Sequence, residues 1–271
     1  MNDKLSLLFK RLSKNLDYSS YSAVSNFFDL EGPQEWSKLK VAVLRNFTLE
    51  SIIPVIKGEI ALMEFYPEVY LGDYDSIAKD VFDAKSPLYE FNPNIIVLAQ
   101  WLETLSPKIT RCFTSLTLEK LETVKDELVN QIYSFVISIR KNTSTPVLIN
   151  NFPLPPYPAF GVLDAQSENY QSHVILQINQ ELIRFTKELK DIYIVDFMGL
   201  MSRIGSLQGI DERYWQMGQS PIGRKAIVQV GREYGKFFRA ICGKVRKCLV
   251  LIFMIAESYL LCVVKITKKM L

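Results

Sequence analysis

Short apolar runs alternate along the chain with longer stretches that show helical periodicity. The runs are rich in β-branched residues and lie at 39–45, 69–71, 95–99, 146–150 and 192–197. Apolar runs without interspersed polar residues are typical of strands that are buried on both faces of a sheet. The segments between them repeat their apolar residues at the spacing of an amphipathic helix. This order predicts a mostly parallel, five-stranded sheet with helices on both sides, an α/β fold in three layers.

Polar residues mark the expected starts of several helices. Thr48 and Ser51 follow the first apolar run and are predicted to cap the helix after it. Thr117 precedes the longest periodic segment and is predicted to cap that helix. Ser220 followed by Pro221 predicts the start of the last helix, because proline lacks the N–H that a helix start leaves unpaired.

Three regions are predicted along the chain. Residues 1–38 form an N-terminal extension with leucines at positions 5, 8, 12 and 16, a spacing that predicts a helix packed on the domain. Residues 39–247 contain the apolar runs and form the α/β domain. Residues 248–271 form an apolar tail that has no predicted partner within the chain, a property that favours aggregation.

Composition and charge exclude several classes of function. The net charge is +3, with basic and acidic residues interleaved, so a nucleic-acid partner is not expected. The four cysteines, at 112, 242, 248 and 262, form no C-x-x-C pair, and the chain has one histidine, His173. This set lacks the ligand spacing of a zinc site, so no metal or other cofactor is predicted. Reduced thiols favour a cytoplasmic protein, and His173 is predicted to be a surface or helix-capping residue.

Candidate ligand-binding residues follow from the rule that ligands bind at the carboxyl ends of parallel strands. The strand-end residues that form the predicted crevice are Asn46, Thr48, Glu50, Gly72, Gln100, Asn150 and Asn151. For Thr48 and Glu50 the alternative is a structural role, as helix cap and first-turn carboxylate. The proline-rich loop at 151–161 is predicted to lie ordered across the top of the sheet, and Trp215 to be a core or interface residue.

Several long stretches of the chain are similar to one known family. They are VAVLRNFTLE at 41–50, LGDYDSIAKDVFDAKSPLYEFNPNIIVLA at 71–99, NNFPLPPYPAFGVLDAQ at 150–166 and DERYWQMGQSPIGRKAI…GREYGKFFRAICGKVRKCLVL at 211–251. In this order they resemble the amino-terminal half of FkbH-like proteins, over about residues 40 to 251. The resemblance implies a flavodoxin-like, SGNH-hydrolase-like domain with three αβα layers.

The resemblance also implies the function of a complete family member. Such a protein carries a phosphatase-like domain of the haloacid dehalogenase type after this half, with an Asp-x-Asp-x-Thr motif beside a magnesium ion. The best understood members transfer a glyceryl unit from a phosphorylated glycerate to an acyl carrier protein, and others act in polyketide or cell-surface polysaccharide biosynthesis. The implied partners are a small phosphorylated acid and an acyl carrier protein. Candidate contacts for the carrier protein are the basic residues Arg239, Lys244, Arg246 and Lys247.

The Asp-x-Asp-x-Thr motif is absent from this sequence. The run Lys247 to Leu251 matches the family strand that precedes the motif, but Ile252 to Ala256 follow in place of the aspartates. We therefore expect the phosphatase-like domain to be missing, residues 252–271 to be out-of-frame read-through, and the remaining domain to have no catalytic residues of its own. The alternative for residues 248–264 is a membrane anchor. Glu257 disfavours that alternative, because a charge within the bilayer costs about 3 kcal/mol.

Two further functions stay open beside that of a noncatalytic binding or scaffold domain. An SGNH-type ester hydrolase needs a serine after the first strand and a histidine base with a nearby aspartate. Here Asn46 occupies the serine position, and the segment 211–223, which should supply the histidine, contains none. A membrane-associated adaptor is the other alternative, and it depends on the apolar tail.

Overall fold

The computed structural model of the protein describes residues 3–244, together with the backbone of 251–255 and 258–262. The main sheet has five strands: β1 (Lys38–Arg45), β2 (Tyr66–Leu71), β3 (Ile95–Ala99), β4 (Val147–Asn150) and β5 (Ile192–Val195). Their order across the sheet is β2-β1-β3-β4-β5, and all neighbouring strands are parallel. The predicted five-stranded parallel sheet is confirmed.

The strand order places a topological switch point between β1 and β3. From β1 the chain moves outward to β2 on one side, and it then returns to build β3, β4 and β5 on the other side. The loops that leave β1 and β3 therefore run in opposite directions, which opens a crevice above their carboxyl ends in folds of this type. Asn46 and Gln100 are the residues that directly follow these two strands.

The helices between the strands cover both faces of the sheet. The N-terminal and first-half helices are α1 (Asp3–Lys14), α2 (Tyr18–Glu31), α3 (Ile53–Ala61), α4 (Ile77–Phe82), α5 (Pro87–Phe91), α6 (Leu102–Leu105) and α7 (Pro107–Thr110). The later ones are α8 (Leu118–Asn142), α9 (Gln171–Lys187), α10 (Phe197–Ile204), α11 (Ser206–Gly209), α12 (Glu212–Gly218) and α13 (Arg224–Ile241). Short 3-10 turns lie at Glu50–Ile52, Phe113–Ser115 and Gly161–Gln166.

Alternate residues of the strands enter two separate cores. On one face, side chains such as Leu44 and Leu98 pack against α8 and α9. On the other, Val43 and Val97 pack against α3 and α13. Because both faces are buried, neither side of a strand needs polar residues, and this explains the uninterrupted apolar runs.

The N-terminal helices form a third apolar cluster on the outer side of α3. Leu5 and Leu12 of α1 are buried, together with Tyr21 of α2. Leu16, by contrast, lies beyond the end of α1 and is exposed. The predicted N-terminal helix is confirmed, and it packs on the domain through α2.

Two of the three predicted helix starts are wrong. Thr48 and Ser51 do not cap a helix: the chain enters a 3-10 turn at Glu50, and α3 begins at Ile53 without a side-chain cap. Ser220 does not start the last helix, because Ile222 forms an antiparallel bridge with Ile210 and α13 begins only after Gly223. The prediction for Thr117 is confirmed, since its side chain accepts a hydrogen bond from the Lys120 amide.

The tail forms an antiparallel hairpin where it is described, with β6 (Leu251–Ile255) paired with β7 (Ser258–Cys262). The strands at 251–255 and 258–262 differ from the helix expected of a membrane anchor, and the anchor alternative for residues 248–264 stays a prediction. Among the described helices, none combines the length and the apolar character needed to cross a bilayer. The predicted domain boundary at residue 247 lies outside the described residues. Part of the predicted read-through segment, residues 252–271, also lies outside them.

Candidate functional site

The switch-point crevice between β1 and β3 is closed by one side chain. Asn46 is 1% exposed, and it binds the backbone of Trp101 twice. Its Nδ2 donates to the Trp101 carbonyl at 3.1 Å, and its Oδ1 accepts from the Trp101 amide at 2.7 Å. Asn46 therefore joins the loops that would otherwise diverge, and both ends of its amide are occupied.

The segment that contains α12 covers Thr48 and binds it through two hydrogen bonds. The Thr48 amide donates to the carbonyl of Gln219 at 2.8 Å, and its hydroxyl donates to the carbonyl of Gly218 at 2.6 Å. On the other side, the Tyr74 hydroxyl donates to the Gln219 side chain at 3.3 Å. The chain near residue 219 thus crosses above the carboxyl end of β1.

A buried arginine holds Glu50 and Gly72 in place. Arg45 is 7% exposed, and its Nε donates to the Gly72 carbonyl at 3.1 Å. Its two terminal nitrogens bind the two carboxylate oxygens of Glu50 at 2.7 and 2.9 Å. Glu50 also accepts a hydrogen bond from the Leu49 amide, so its carboxylate stabilises the turn that leads into α3. Glu50 lies in the 3-10 turn before α3, and not in the first turn of α3 itself.

The candidate residues at the end of β4 also bind other parts of the protein, although Asn150 Nδ2 has no hydrogen-bond partner in the described part of the chain. Asn150 is fully buried, and its Oδ1 accepts a hydrogen bond from the Tyr234 hydroxyl at 3.0 Å. Burial raises the pKa of Tyr234, which keeps this donor protonated. Asn151 accepts from the Met198 amide and donates to Asp196.

Gln100, the residue after β3, differs from the other strand-end residues. It is 1% exposed, and within the described part of the chain neither atom of its amide has a hydrogen-bond partner.

The seven predicted crevice residues thus lie at one edge of the sheet but do not converge on one opening. Asn46, Thr48 and Glu50 support the loops around β1, whereas Asn150 and Asn151 support the end of β4. Their role in ligand binding stays a prediction.

Gly72 lies directly over the buried carboxylate of Asp80. A Cβ at Gly72 would be 3.0 Å from Asp80 Oδ2, and the Tyr70 hydroxyl donates to the same oxygen at 3.3 Å. Burial raises the pKa of Asp80 above its ordinary value. Burial and, after it, the charge of Asp80 raise the pKa of Tyr70 to about 12. Tyr70 therefore remains neutral, and burial destabilises the charged form of Asp80 beside it.

We expect Asp80→Asn to stabilise the protein at pH 7 and to have less effect in acid. A carboxyl group whose pKa is raised in the folded state opposes folding above that pKa, and the penalty disappears below the unfolded pKa. The free energy of unfolding, measured in urea at pH 7 and near pH 3, gives the comparison. Asp126→Asn on the exposed face of α8 is the matched control. A gain for Asp80→Asn that is equal at both pH values would contradict the expectation.

The open cleft of the domain lies beside these residues, above β3 and β4. It has a volume of about 370 Å³. Its lining comes from the segments that follow β3, β4 and α11 and from the first turns of α9. The apolar and aromatic lining residues include Trp101, Pro153, Pro155, Pro156, Tyr157 and Trp215, and the charged ones are Glu103, Arg111 and Glu212. In the described part of the chain, none of the predicted crevice residues lines it.

Two buried amides of α9 hold the proline-rich wall of the cleft. Asn179 accepts from the Phe152 amide and donates to the Phe152 carbonyl, both at 2.8 Å. Gln171 accepts from the Ala159 amide at 2.7 Å and donates to the Ile109 carbonyl at 2.8 Å. These bonds fix the loop at its beginning and near its end, and the prediction of an ordered loop is confirmed.

Two tryptophans form the inner wall. The ring centroids of Trp101 and Trp215 are 6.4 Å apart, and Trp215 is 4% exposed. Trp215 belongs to the core, as predicted, and it also faces the cleft. Its indole Nε1 is buried and has no acceptor among the described residues. Glu103 and Arg111 form an ion pair at the cleft, through Arg111 Nε.

The remaining candidates do not line the cleft. His173 is in the first turn of α9, and its Nδ1 is buried without a partner in the described part of the chain. Cys112 and Cys242 are free thiols. Within residues 3–244 and the two described tail strands, no group of three or more His, Cys, Asp or Glu side chains could hold a metal ion.

Comparison with known families decides the identity of the domain. The family model described as "FkbH, N-terminal domain" matches residues 40–232. The chain belongs to the FkbH N-terminal domain family. No curated protein sequence matches the chain.

Solved structures agree with the predicted fold. The N-terminal part of a Bacteroides fragilis protein that contains a phosphatase domain, crystallised with Mg, is similar at a TM-score of 0.72 and 17% identity. The match covers 85% of this chain but only 58% of that one. A lipase from a goat rumen metagenome is similar at a TM-score of 0.53 and 10% identity, over 75% of this chain and 97% of the lipase. These likenesses show an SGNH-hydrolase-like α/β fold.

The basic residues at the end of the FkbH domain are not equivalent. Arg239 binds the buried carboxylate of Glu59, so it is not simply a solvated residue at a helix end. Lys244 Nζ lies 5.4 Å from the centroid of the Phe65 ring. Arg246 and Lys247 lie outside the described residues.

Proposed function

We propose that residues 39–247 act as a noncatalytic binding domain of an FkbH-like protein. The observation that carries this proposal is the closure of the switch-point crevice by Asn46. In open α/β sheets, this crevice is where reacting groups and ligands are brought together. Here a side chain that is 1% exposed reaches across it and binds both the amide and the carbonyl of Trp101.

The chemistry of the strand ends supports the same proposal. Ester hydrolysis of the SGNH type needs a hydroxyl that can attack and a histidine that removes its proton. The hydroxyl nearest to the end of β1, that of Thr48, is bound to the Gly218 carbonyl, and the sole histidine lies in α9. Neither group is placed for proton transfer to the other.

For the complete protein we propose transfer of a glyceryl unit from a phosphorylated glycerate to an acyl carrier protein, in polyketide or cell-surface polysaccharide biosynthesis. Membership of the FkbH N-terminal family supports this, as does the likeness to a protein that contains a phosphatase domain. The Mg²⁺-dependent chemistry would belong to such a phosphatase-like domain. A cytoplasmic location is part of the proposal, which the free thiols of Cys112 and Cys242 support.

A hydrolysis assay tests the noncatalytic role. Incubation of the purified chain with p-nitrophenyl acetate and p-nitrophenyl butyrate should release nitrophenol no faster than the same amount of Thr48→Val. This variant removes the hydroxyl and keeps the shape of the side chain. Saturable hydrolysis by the natural sequence that Thr48→Val abolishes would establish an esterase and overturn the proposal.

A binding experiment with an acyl carrier protein tests the proposed contact surface for this partner. Lys244, Arg246 and Lys247 should be changed together to alanine, and Arg239 should be kept because it binds Glu59. We expect weaker binding of the acidic carrier protein and a smaller dependence of its affinity on salt. Equal affinities for the natural and altered chains would reject this surface as the carrier contact.

A further inference from the structure

A second cavity, here called the basic cavity, lies at the other end of the sheet, where β2 begins. Its volume of about 520 Å³ is within the range typical of ligand pockets. One wall is the segment between α3 and β2, and the other is the second half of α13 with the residues that follow it. The described lining residues are Leu62, Met63, Glu64, Arg232, Arg239 and Lys244. Three of these side chains are cations, so the basic cavity differs in charge from the apolar cleft above β3 and β4.

A buried carboxylate holds one of these cations in position. Glu59 is 2% exposed, and it binds Arg239 and accepts a hydrogen bond from the buried Tyr21 hydroxyl. Residue 235 is a glycine, and a Cβ there would lie only 2.6 Å from Glu59 Oε2. Arg239 uses one terminal nitrogen for this ion pair, which leaves its other N–H groups without an acceptor in the described part of the chain. The guanidinium is therefore fixed at the cavity wall before any ligand arrives.

The other two cations have donors to spare. Arg232 Nε lies 3.9 Å from Glu59 Oε1, which is too far for a hydrogen bond, and the side chain is 43% exposed. Lys244 Nζ lies 5.4 Å from the centroid of the Phe65 ring. Among the described residues, neither side chain donates a hydrogen bond. Both cations are thus accessible to a ligand in the basic cavity.

Helix capping does not account for this group of cations. Both α3 and α13 end at the basic cavity, and cations often bind the free carbonyl groups of a helix end. Here backbone amides already bind those carbonyls. The amides of residues 62, 63 and 64 donate to the carbonyls of residues 58, 60 and 61, and the amides of residues 242, 243 and 244 donate to those of residues 238, 240 and 239. The N–H groups of the three cations are therefore not needed to complete the helix ends.

The charges of the lining favour an anionic ligand. Arg239 and Glu59 compensate each other, and Arg232 and Lys244 together outweigh the carboxylate of Glu64. An anion in the basic cavity is therefore attracted by an excess of positive charge. Guanidinium groups match the oxygens of phosphates and carboxylates, and they form strong, charge-assisted hydrogen bonds with both. A phosphate group directs its oxygens in several directions, whereas the two oxygens of a carboxylate lie in one plane, so donors from two walls favour phosphate.

We infer that the basic cavity binds a phosphate group, whose oxygens accept hydrogen bonds from Arg232, Arg239 and Lys244. Glu59 positions Arg239 from below and does not touch the ligand. The site lies at the amino ends of the strands, opposite the switch-point crevice closed by Asn46. Free phosphate and a small phosphate monoester share this chemistry, and the test below separates them. The inference does not depend on the proposed noncatalytic role, because binding a phosphate requires no nucleophile.

Isothermal titration calorimetry with sodium phosphate and with glycerol 2-phosphate tests the site. Sodium chloride keeps the ionic strength constant, so that general screening is the same in all titrations. We expect saturable binding of at least one of the two phosphates, and at least about tenfold weaker binding of sodium acetate. Tighter binding of glycerol 2-phosphate assigns the site to phosphate monoesters, and tighter binding of inorganic phosphate assigns it to the free ion.

Variants of the lining identify the donors. Arg232→Gln combined with Lys244→Gln should weaken phosphate binding at least about tenfold, because two charge-assisted hydrogen bonds are lost. Arg184→Gln combined with Lys187→Gln is the matched control, since it removes the same charges from the last turn of α9, outside the basic cavity. Its affinity should change less than about twofold. Glu64→Gln should strengthen binding, because it removes a carboxylate that repels the ligand.

Two results would overturn the inference: no saturable binding of either phosphate to the natural chain, or an equal loss of affinity in the lining variant and the α9 control. Arg232→Gln alone leaves the pair of Glu59 with Arg239 intact, and urea unfolding checks that this variant is folded. It should still weaken phosphate binding. Arg232 is not among the proposed contacts of the carrier protein, so failure of the phosphate site leaves that contact and the noncatalytic role standing.

Discussion

Glu59→Gln should lower the free energy of unfolding by about 3 kcal/mol, one of the largest effects expected for a single substitution in this domain. Glu59 is 2% exposed, and its carboxylate accepts a hydrogen bond from the Tyr21 hydroxyl and binds Arg239. Arg232 Nε lies 3.9 Å away. These contacts join α2, α3 and α13. Loss of the charge leaves two arginines without their shared anion, and urea unfolding with unchanged m-value measures the effect.

The protonation state of Tyr21 is consistent with this expectation. Burial first, and then the charge of Glu59, raise the pKa of Tyr21, so the hydroxyl remains a donor. Glu181→Gln is the matched control, because Glu181 forms an exposed pair with Arg184 within α9. Its loss should change the stability by less than about 0.5 kcal/mol. A Glu59→Gln effect as small as that of the control would mean that the buried network does not stabilise the fold.

Asn46→Ala should lower the free energy of unfolding by about 2–4 kcal/mol. The substitution leaves the buried amide of Trp101 without a partner, and the Trp101 carbonyl keeps only its bond from the Leu105 amide. Unpaired buried backbone groups destabilise more than the loss of an exposed hydrogen bond, because water cannot replace the missing partner. Chemical denaturation of the purified variant measures the loss.

Asn142→Ala provides the comparison for this experiment. Asn142 is exposed at the end of α8, and its side chain donates one hydrogen bond to the Ser138 carbonyl. Its replacement should have an effect of about 0.5 kcal/mol or less. If Asn46→Ala were equally mild, water would have to enter the crevice at little cost, and the interpretation of Asn46 as a structural bridge would be wrong.

The sheet could be predicted from the sequence because the residues that specify each strand are consecutive in the chain. The inner strands contain continuous apolar runs, whereas the edge strand β2 includes Pro67 and Glu68 and only its end was predicted. Each long helix repeats its apolar residues on one face, as the segment Leu118–Asn142 does. The FkbH-like stretches added the family and the fold, and the matched range of residues 40–232 agrees with them.

The site could not be predicted in the same way, because it depends on contacts between distant segments. Thr48 has the residue type and position of a helix cap, but its partners are 170 residues later in the chain. Ser220 precedes a proline, but an antiparallel bridge at Ile222 extends the chain there and delays the helix. Arg111 and Glu103 meet at the cleft only because short helices fold back after β3. No periodicity or motif marks such pairs.

The position of α13 has a consequence for the synthesis of the protein on the ribosome. This helix covers one face of β1 and β3 with Tyr234 and Phe238, and it approaches α3 so closely that a Cβ at Gly231 would lie 2.5 Å from Val55. The strands it covers are translated more than a hundred residues earlier. Until α13 leaves the exit tunnel, that apolar face is open to the cell, so the nascent chain should be a client for chaperones that bind exposed apolar segments.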